Sequence, residues 1–383
     1  MSRERGELCM SDLRKAQRTR KVRFIGQGIC DMIRVEHLDI PELMPYRERS
    51  ERRLFRWYEP QPGLFIAESV KVIARAAADG YRPESFLLEE KFAERLQEDG
   101  SLSSLMDISA NGDAKKSPQG DAAFALQGAD AALEFPGAET APAFPGMDAA
   151  REDPSCGTGP LPRGGDTETM RRILSENEQV PVYTASYAVL SGIAGYHLTG
   201  GALAAMRRRR VPNLMDTLRG ADHVAVLSHV TNPTNVGAIV RSAAAMGIDA
   251  VIFADGCADP LSRRAVRVSM GCIFQIPWTC AAETEGVIGA LRGAGFTTAA
   301  MALGSDSVRI DDPVWRTGER VAAFFGNEGD GLREDVIRAC DYSVRIPMRG
   351  GVDSLNVAAA SAVAFWEMGR GKRDEDDRNC GDV

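Results

Sequence analysis

The chain has 383 residues, of which 44% are hydrophobic, and a formal net charge of −8. This length exceeds that of most single domains and predicts two domains with an appendage. No apolar run approaches the roughly 20 residues of a membrane-spanning helix, and the polar, basic amino terminus lacks a signal-sequence core, so a cytoplasmic location is expected. The eight cysteines form no CxxC pair and no cluster with the four histidines, so we expect neither a disulfide framework nor a bound metal.

The first 31 residues are basic and show no clear periodicity, which predicts a flexible amino-terminal segment. A second basic cluster, Arg207 to Arg210, lies in mid-chain, and residues 372–383 form an acidic tail that we also expect to be flexible. Four consecutive arginines would point around a helix, and they suit either phosphate contacts or a solvated linker. An uneven distribution of charge therefore keeps RNA among the expected partners of this acidic protein.

Residues 32–205 are predicted to form the first domain. A stretch at about 97–166 is rich in Ala, Gly, Pro and Asp and has few large apolar residues, so we expect a disordered insertion there. Around it, apolar runs and helical periodicity indicate a β-α-β pattern. The predicted elements are a charged helix Tyr46–Tyr58, a strand Gly63–Ser69, a helix Val70–Ala78, a strand Ser85–Leu88, a helix Met170–Glu178 and a strand Val180–Ser186.

Residues 206–371 are predicted to form the second domain, in which strands and helices alternate from His223 onward. This alternation favours an α/β fold with a parallel sheet and helices on both faces. The predicted strands are 224–230, 249–255, 275–279, 296–303, 321–325 and 344–348, and the predicted helices are Ala238–Met246, Pro260–Cys272, Gly286–Ala294 and Val357–Met368.

Three polar, glycine-containing segments follow strands of this second domain. They are Thr231–Gly237, which leads to Arg241, and the segments Gly326–Gly329 and Arg349–Asn356. Ligands of open α/β sheets bind at the carboxyl ends of the strands, so we expect these segments to build one site. The spacing of the first segment matches neither the dinucleotide-binding fingerprint nor a P-loop.

The residues of these segments carry a family resemblance. Asn235-Val-Gly237-Ala-Ile-Val-Arg241, GNEGDGL at 326–332 and IPMRGGVDSLNVAAASA at 346–362 resemble, in this order, motifs 1, 2 and 3 of the SpoU (TrmH-type) RNA ribose 2′-O-methyltransferases of the SPOUT class. The resemblance is strong from Val211 to about Gly371 and weaker between about Ile40 and Ala205. It implies a carboxyl-terminal trefoil knot, a homodimer and, over residues 32–205, a small L30e-like RNA-binding domain. The family pattern has glycine where this chain has Ser69.

The resemblance also assigns roles to residues of the site. In the family, the arginine that matches Arg241 activates the ribose hydroxyl. Two roles stay open for Arg241: it acts as the activating base, as the resemblance implies, or, because a guanidinium normally stays protonated, it stabilises the developing alkoxide or holds the adjoining phosphate. The resemblance implies that Asn235, Glu328, Ser354 and Asn356 complete the catalytic set. It implies that S-adenosyl-L-methionine is held by Leu303, Gly326, Asn327, Gly329, Ile346, Met348 and Leu355.

The leading hypothesis is therefore S-adenosyl-L-methionine-dependent methylation of a ribose 2′-hydroxyl in rRNA or tRNA. An L30e-like domain suits folded RNA, which slightly favours rRNA. Arg264 and Arg267, on one face of a predicted helix, suit either RNA contacts or a solvated surface. Two alternatives stay open, namely a noncatalytic RNA-binding factor that keeps the fold and a nucleotide-dependent oxidoreductase. The chain lacks the GxGxxG pattern that the second alternative requires.

Overall fold

The computed structural model describes residues 21–22, 32–48, 50–58, 63–97, 165–194, 201–304, 306–316, 318–327, 329–350, 352 and 354–369. Most of the basic amino-terminal segment, the low-complexity insertion and the acidic tail lie outside these residues, as does Glu328. No helix within the described ranges is long and apolar enough to cross a membrane.

Two β-sheets organise the described chain, and helices pack on both faces of each sheet. The strands are β1 (Lys21–Val22), β2 (Met32–Arg34), β3 (Leu64–Glu68), β4 (Pro83–Glu89), β5 (Val182–Ala185), β6 (Ala202–Arg207), β7 (His223–Ser228), β8 (Ala250–Ala254), β9 (Trp278–Cys280), β10 (Thr297–Met301), β11 (Val308–Arg309), β12 (Val321–Phe325) and β13 (Tyr342–Arg345). The α-helices are α1 (Met44–Arg47), α2 (Glu51–Phe55), α3 (Val70–Ala78), α4 (90–97), α5 (Asp166–Glu176), α6 (Tyr187–Ala194), α7 (Leu214–Thr217), α8 (Pro233–Ala245), α9 (Arg263–Val268), α10 (Thr284–Gly293), α11 (Glu334–Ala339) and α12 (Val357–Met368).

The first sheet is mixed and has the strand order β1-β2-β5-β4-β6-β3. Strand β5 runs parallel to β2 and β4, whereas β6 runs antiparallel to β3 and β4. Because side chains alternate along a strand, Phe65 and Ala67 of β3 pack on the face of α3 and α5, and Leu64 and Ile66 pack on the opposite face. Both faces are therefore buried, which explains the uninterrupted apolar run in β3.

The second sheet is parallel throughout and has the strand order β11-β13-β10-β12-β7-β8-β9. Helices α8, α9 and α12 contribute to the apolar cluster on one face, and α10 and α11 contribute to the cluster on the other. The predicted α/β architecture with helices on both faces of a parallel sheet is confirmed. Strands β10, β12 and β13 are neighbours in this sheet, so the segments that follow them lie together at its carboxyl edge.

Several predicted boundaries were wrong. The charged helix predicted over Tyr46–Tyr58 is two short helices, α1 and α2, and the helix predicted over Pro260–Cys272 is α9 followed by a 3₁₀ turn at Cys272–Phe274. Helix α8 starts at Pro233 because Asn232 caps its first turn by accepting a hydrogen bond from the Thr234 main-chain N–H. Asn235 and Gly237 therefore lie on a helix rather than in the loop before it.

Ser69 adopts a backbone conformation that favours glycine. Ser69 lies between strand β3 and helix α3 and has a φ of 84°. Few residues with a β-carbon adopt such values. The glycine of the family pattern would occupy this turn without strain.

The four consecutive arginines, Arg207 to Arg210, do not lie on a helix, so they do not point around a helix axis. Arg207 ends strand β6 and pairs with Glu84, whereas Arg209 donates to the Asp79 carboxylate at 2.8 Å and lies over the Tyr81 ring. Three of the four arginines, Arg207 to Arg209, thus pair with acidic side chains in the part of the chain that the structure describes.

Arg208 is the buried member of this cluster. Its guanidinium pairs with both oxygens of Asp259 and donates from Nε to the Leu64 carbonyl at 2.9 Å. Asp259 follows β8 in the second sheet and Leu64 lies in the first, so the side chain of Arg208 connects the two sheets. Bidentate pairing of a guanidinium adds geometric specificity to such a contact.

Gly237 permits the close packing of α8 on α9. A β-carbon at this position would lie 2.6 Å from the Ala265 carbonyl oxygen and 2.8 Å from the Val268 Cβ. Neither neighbour is the free end of a flexible side chain, so the two helices would have to move apart.

We expect Gly237→Ala to lower the free energy of unfolding by about 1–3 kcal/mol through this overpacking, measured by urea denaturation. Gly289→Ala is the matched control because Gly289 also lies inside a helix, α10, but is exposed there, with no atom within 4 Å of the added Cβ. The control should gain about 0.5–1 kcal/mol from lower backbone entropy of the unfolded chain. Equal effects of the two substitutions would contradict the packing role of Gly237.

Candidate functional site

A cavity of about 430 Å³ lies at the carboxyl edge of the parallel sheet. Its walls come from the segments after β10, β12 and β13 and from the start of α12. Apolar residues and glycines make up most of the lining, and polar or charged side chains enter at Asn327, Asp330, Glu334, Arg345 and Ser354. The lining includes Met301, Leu303, Gly326, Asn327, Gly329, Glu334, Ile337, Ile346, Met348, Ser354, Leu355 and Val357.

The loop after β12 is folded tightly on itself. The Asn327 side-chain oxygen accepts hydrogen bonds from the main-chain N–H groups of Gly329 at 2.7 Å and Asp330 at 2.8 Å, and Asn327 pairs with Gly331 in an isolated β-bridge. A β-carbon on Gly326 would lie 2.1 Å from the Gly331 carbonyl carbon. Glycine at position 326 thus allows the two sides of this loop to touch where they border the cavity.

A hydrogen bond joins the first and third motif segments. The Asn356 Nδ2 group donates to the Asn235 Oδ1 atom at 3.3 Å, and the Asn356 Oδ1 atom caps helix α12 by accepting from the Ala358 N–H at 3.0 Å. Asn235 is buried, with 8% of its surface exposed. One asparagine side chain therefore sets the start of α12 and ties it to α8, next to Ser354 and Leu355 on the cavity wall.

The neighbouring loops after β7 and β8 are held by a buried cluster. The Asp255 carboxylate accepts hydrogen bonds from the Ser228 hydroxyl at 2.6 Å, from the Thr284 N–H at 3.0 Å and from the Thr284 hydroxyl. Burial alone would raise the pKa of Asp255, but these hydrogen bonds hold that pKa below its usual range. A charged Asp255 thus fixes the loop that leads into α8.

The structure brings most of the predicted site residues together. All seven residues predicted to hold the cofactor line the cavity, and so does Ser354. Asn235 and Asn356 bond to each other beside it, whereas Glu328 lies outside the described residues. Glu334 was not predicted from the sequence, although its position in the first turn of α11, shortly after the glycine-rich loop, is where an acidic side chain reaches this edge.

Arg241 stands apart from this group. It is exposed on α8, does not line the cavity, and forms no salt bridge with any described residue. Its guanidinium is therefore available to a partner that is not part of the described chain, such as an anionic ligand or a second protomer.

Comparisons with known proteins identify the family and the relatives of this chain. The sequence model of the SpoU rRNA methylase family matches residues 222–366. An uncharacterised tRNA/rRNA methyltransferase of Mycobacterium bovis is 44% identical over 191 residues, which are 50% of this chain and 66% of that protein, so just under two thirds of that relative is matched. A 23S rRNA (guanosine-2′-O-)-methyltransferase of Acinetobacter baylyi is 31% identical over 215 residues, which cover 54% of this chain and 86% of that protein.

Solved structures share the fold across both sheets. An rRNA methyltransferase from Sinorhizobium meliloti superposes with a TM-score of 0.58 at 20% identity, covering 89% of this chain and 98% of that chain. The SpoU methyltransferase AviRb from Streptomyces viridochromogenes, solved in complex with AdoMet, gives a TM-score of 0.57 at 18% identity and covers 87% of this chain and 98% of that chain.

We expect Asn356→Asp to destabilise the protein by about 1 kcal/mol in urea denaturation, because aspartate keeps the helix cap but removes the N–H donor to buried Asn235. Asn232→Asp is the matched control, since Asn232 caps α8 in the same way and is exposed. The control should stay within about 0.5 kcal/mol of the wild type. An Asn356→Asp variant as stable as the control would show that the bond to Asn235 does not support the site.

Proposed function

Because the chain belongs to the SpoU rRNA methylase family, we propose that it transfers a methyl group from S-adenosyl-L-methionine to a ribose 2′-hydroxyl of rRNA or tRNA. The observation that carries this proposal is the convergence of the predicted cofactor residues on one cavity, with Asn235 and Asn356 bonded together at its side. We favour rRNA slightly, because the Acinetobacter baylyi relative is named for 23S rRNA.

The cavity suits S-adenosyl-L-methionine in size and chemistry. Its volume of about 430 Å³ lies within the roughly 300–1,000 Å³ of small-molecule sites, which are mostly apolar with a few polar groups. Leu303, Ile346 and Met348 offer apolar contacts for adenine, while main-chain groups and the side chains of Asn327 and Glu334 offer polar ones. When bound, the cofactor supplies an electrophilic methyl group.

The protein's own groups then have to hold the ribose and remove its proton. Ser354 lines the cavity, and Asn356 and Asn235 form a rigid polar pair beside it, so these side chains are placed to orient a nucleotide. We propose that Arg241 stabilises the developing alkoxide or binds the adjoining phosphate, since guanidinium stays protonated near pH 7. Glu328 completes the proposed catalytic set through its place in the second motif.

The finer architecture is proposed in the same way. We propose that residues 32–205 form an L30e-like RNA-binding domain, that residues 206–371 form the SPOUT domain, and that the carboxyl-terminal segment of this domain is tied in a trefoil knot. The knot is what the family resemblance implies, and the loops after β12 and β13 that would form it line one cavity. A cytoplasmic enzyme without a metal remains the prediction from the sequence.

We also propose that the protein acts as a homodimer through α12 and α8. Val363 and Trp366 on α12 are 38% and 55% exposed, and α12 packs against α8, which carries the exposed Arg241. Large apolar side chains exposed on one helix favour a protein interface. Such an interface would bring Arg241 of one protomer toward the neighbouring one.

We expect wild-type protein to transfer labelled methyl groups from S-adenosyl-L-methionine into unmodified 23S rRNA or tRNA, and Arg241→Ala to lower kcat on the order of 100-fold or more. Cofactor affinity, measured by calorimetry, should stay unchanged, because Arg241 does not line the cavity. Arg219→Ala serves as the control and should keep full activity, because Arg219 is an exposed arginine just after α7 that pairs with Asp216 and does not line the cavity. The absence of cofactor binding would favour the noncatalytic RNA-binding factor, whereas cofactor binding without transfer to either RNA pool would point to a different acceptor or a missing ribosomal context.

For the dimer, we expect Trp366→Glu to shift the sedimentation coefficient from that of a dimer to that of a monomer, because burying a carboxylate in an apolar interface is costly. Met215→Glu is the control, since Met215 is 57% exposed on α7, away from α12. A wild-type protein that sediments as a monomer at micromolar concentration would contradict the proposed assembly.

A further inference from the structure

Helix α2 presents an exposed aromatic ring on a basic surface between the two sheets. The Phe55 side chain is 54% exposed, and Arg52 and Arg56 on either side of it are exposed as well. The guanidinium carbon of Arg208 lies 5.0 Å from the centroid of the Phe55 ring. Arg208 is itself fixed by its bidentate pair with Asp259. The ring is thus supported on one side by a rigid cation while more than half of its surface faces solvent.

A cavity of about 360 Å³ opens beside this ring. Its volume falls in the range of small-ligand sites, roughly 300–1,000 Å³. Its other walls belong to the segments that follow β8 and β9, so it lies at the same carboxyl edge of the parallel sheet as the proposed cofactor cavity. Its lining includes Arg52 and Phe55 from α2, and Phe253, Cys257, Pro260 and Cys280 from strands β8 and β9 and the segment after β8.

The wall of this cavity carries charges of both signs, and Arg52 is its exposed cation. Of its two carboxylates, Asp259 pairs with Arg208, whereas Glu51 accepts a hydrogen bond from the Arg263 main-chain N–H at 3.0 Å through one oxygen and keeps its other, buried oxygen without a hydrogen-bond partner among the described residues. Burial raises the pKa of the Cys257 thiol to about 11, so this thiol is neutral at pH 7. Arg52 forms no salt bridge with a described residue.

A path of contacts leads from this cavity to the proposed catalytic residues. Glu51 on α2 holds the start of α9 at Arg263, and the next residue, Arg264, donates from Nε to the Thr234 hydroxyl at 3.1 Å. Thr234 precedes Asn235 on α8. A nucleotide in this cavity and one at the proposed active site would therefore lie along the same edge of the protein.

We propose that this cavity binds an unpaired nucleotide of the substrate RNA, with its base stacked on the exposed ring of Phe55 and its phosphates in contact with Arg52 and Arg264. The inference rests on the proposed function, because it names an RNA-binding element of the same enzyme. Aromatic rings flanked by arginines suit single-stranded RNA, since every base offers a face for stacking and every phosphate a charge. The site would hold a flanking nucleotide and so add to the affinity of the protein for its RNA.

The test uses the whole chain of 383 residues and a fluorescent 12-nucleotide oligouridine, with binding measured by anisotropy at several salt concentrations. Phe55→Ala should weaken binding by roughly tenfold or more, as expected for the loss of one base stack, and Phe55→Trp should retain affinity. Tyr187→Ala is the control, because Tyr187 is an aromatic residue 38% exposed on α6. It should leave affinity unchanged.

The salt dependence separates stacking from charge. Phe55→Ala should leave the slope of log K against log salt unchanged, whereas Arg52→Gln should reduce its magnitude by about 0.7, the value for one phosphate contact on a single strand. An Arg52→Gln variant with the wild-type slope would overturn the phosphate contact.

Methyl transfer distinguishes this inference from the proposed function. If both hold, Phe55→Ala raises the KM for RNA and leaves kcat and cofactor affinity unchanged. Wild-type affinity and KM in Phe55→Ala overturn the nucleotide site and leave the methyltransferase proposal intact. Weaker oligouridine binding by Phe55→Ala, in a protein whose wild type transfers no methyl group, supports the nucleotide site and overturns the proposed function.

Discussion

Helix α8 packs between α9 and α12, and this packing requires a residue without a side chain at position 237. On one side, the absent β-carbon lets α8 reach the backbone of Ala265. On the other, the side chain of Asn235 accepts a hydrogen bond from Asn356 at the start of α12. The placement of the first and third motif segments depends on these contacts, because α8 carries the first motif and α12 begins within the third. A tight helix interface thus becomes a means of aligning polar side chains.

The same interface links the site to the first sheet. Helix α9 is held from the other side by Glu51 and Glu68, which contact Arg263, and Arg208 reaches across to Asp259. A buried charge that loses its partner is left uncompensated, so removing one partner of such a pair costs more free energy of unfolding than the pair contributes. The network therefore favours one orientation of the first sheet relative to the proposed active site. The proposed function, in which a folded RNA is recognised at one place and modified at another, would need such a fixed distance.

Much of this account could be predicted from the sequence, because the strands of a buried parallel sheet are apolar runs and their carboxyl ends must share an edge. Residues as far apart as Leu303 and Leu355 could be assigned to one site on that ground, together with the motif resemblance. The conformation and the partners of the arginine cluster could not be predicted in this way. Ala202–Arg207 is composed of good helix formers, yet it forms the strand β6 because β3 and β4 pair with it on both sides, and tertiary pairing overrides propensity. The partners of Arg208 and the exposure of Phe55 follow from contacts between the sheets, which no local pattern encodes.

The central claim is that the cavity and the Asn235–Asn356 pair direct a methyl group to a ribose oxygen. The most direct measurement uses S-adenosyl-L-methionine with a deuterated methyl group and unmodified 23S rRNA and tRNA, followed by tandem mass spectrometry of the digested nucleosides. The account predicts that the deuterated methyl group appears on the ribose fragment of one nucleoside and not on its base. A label found on the base fragment, or no label in either RNA from a protein that binds the cofactor, would contradict it.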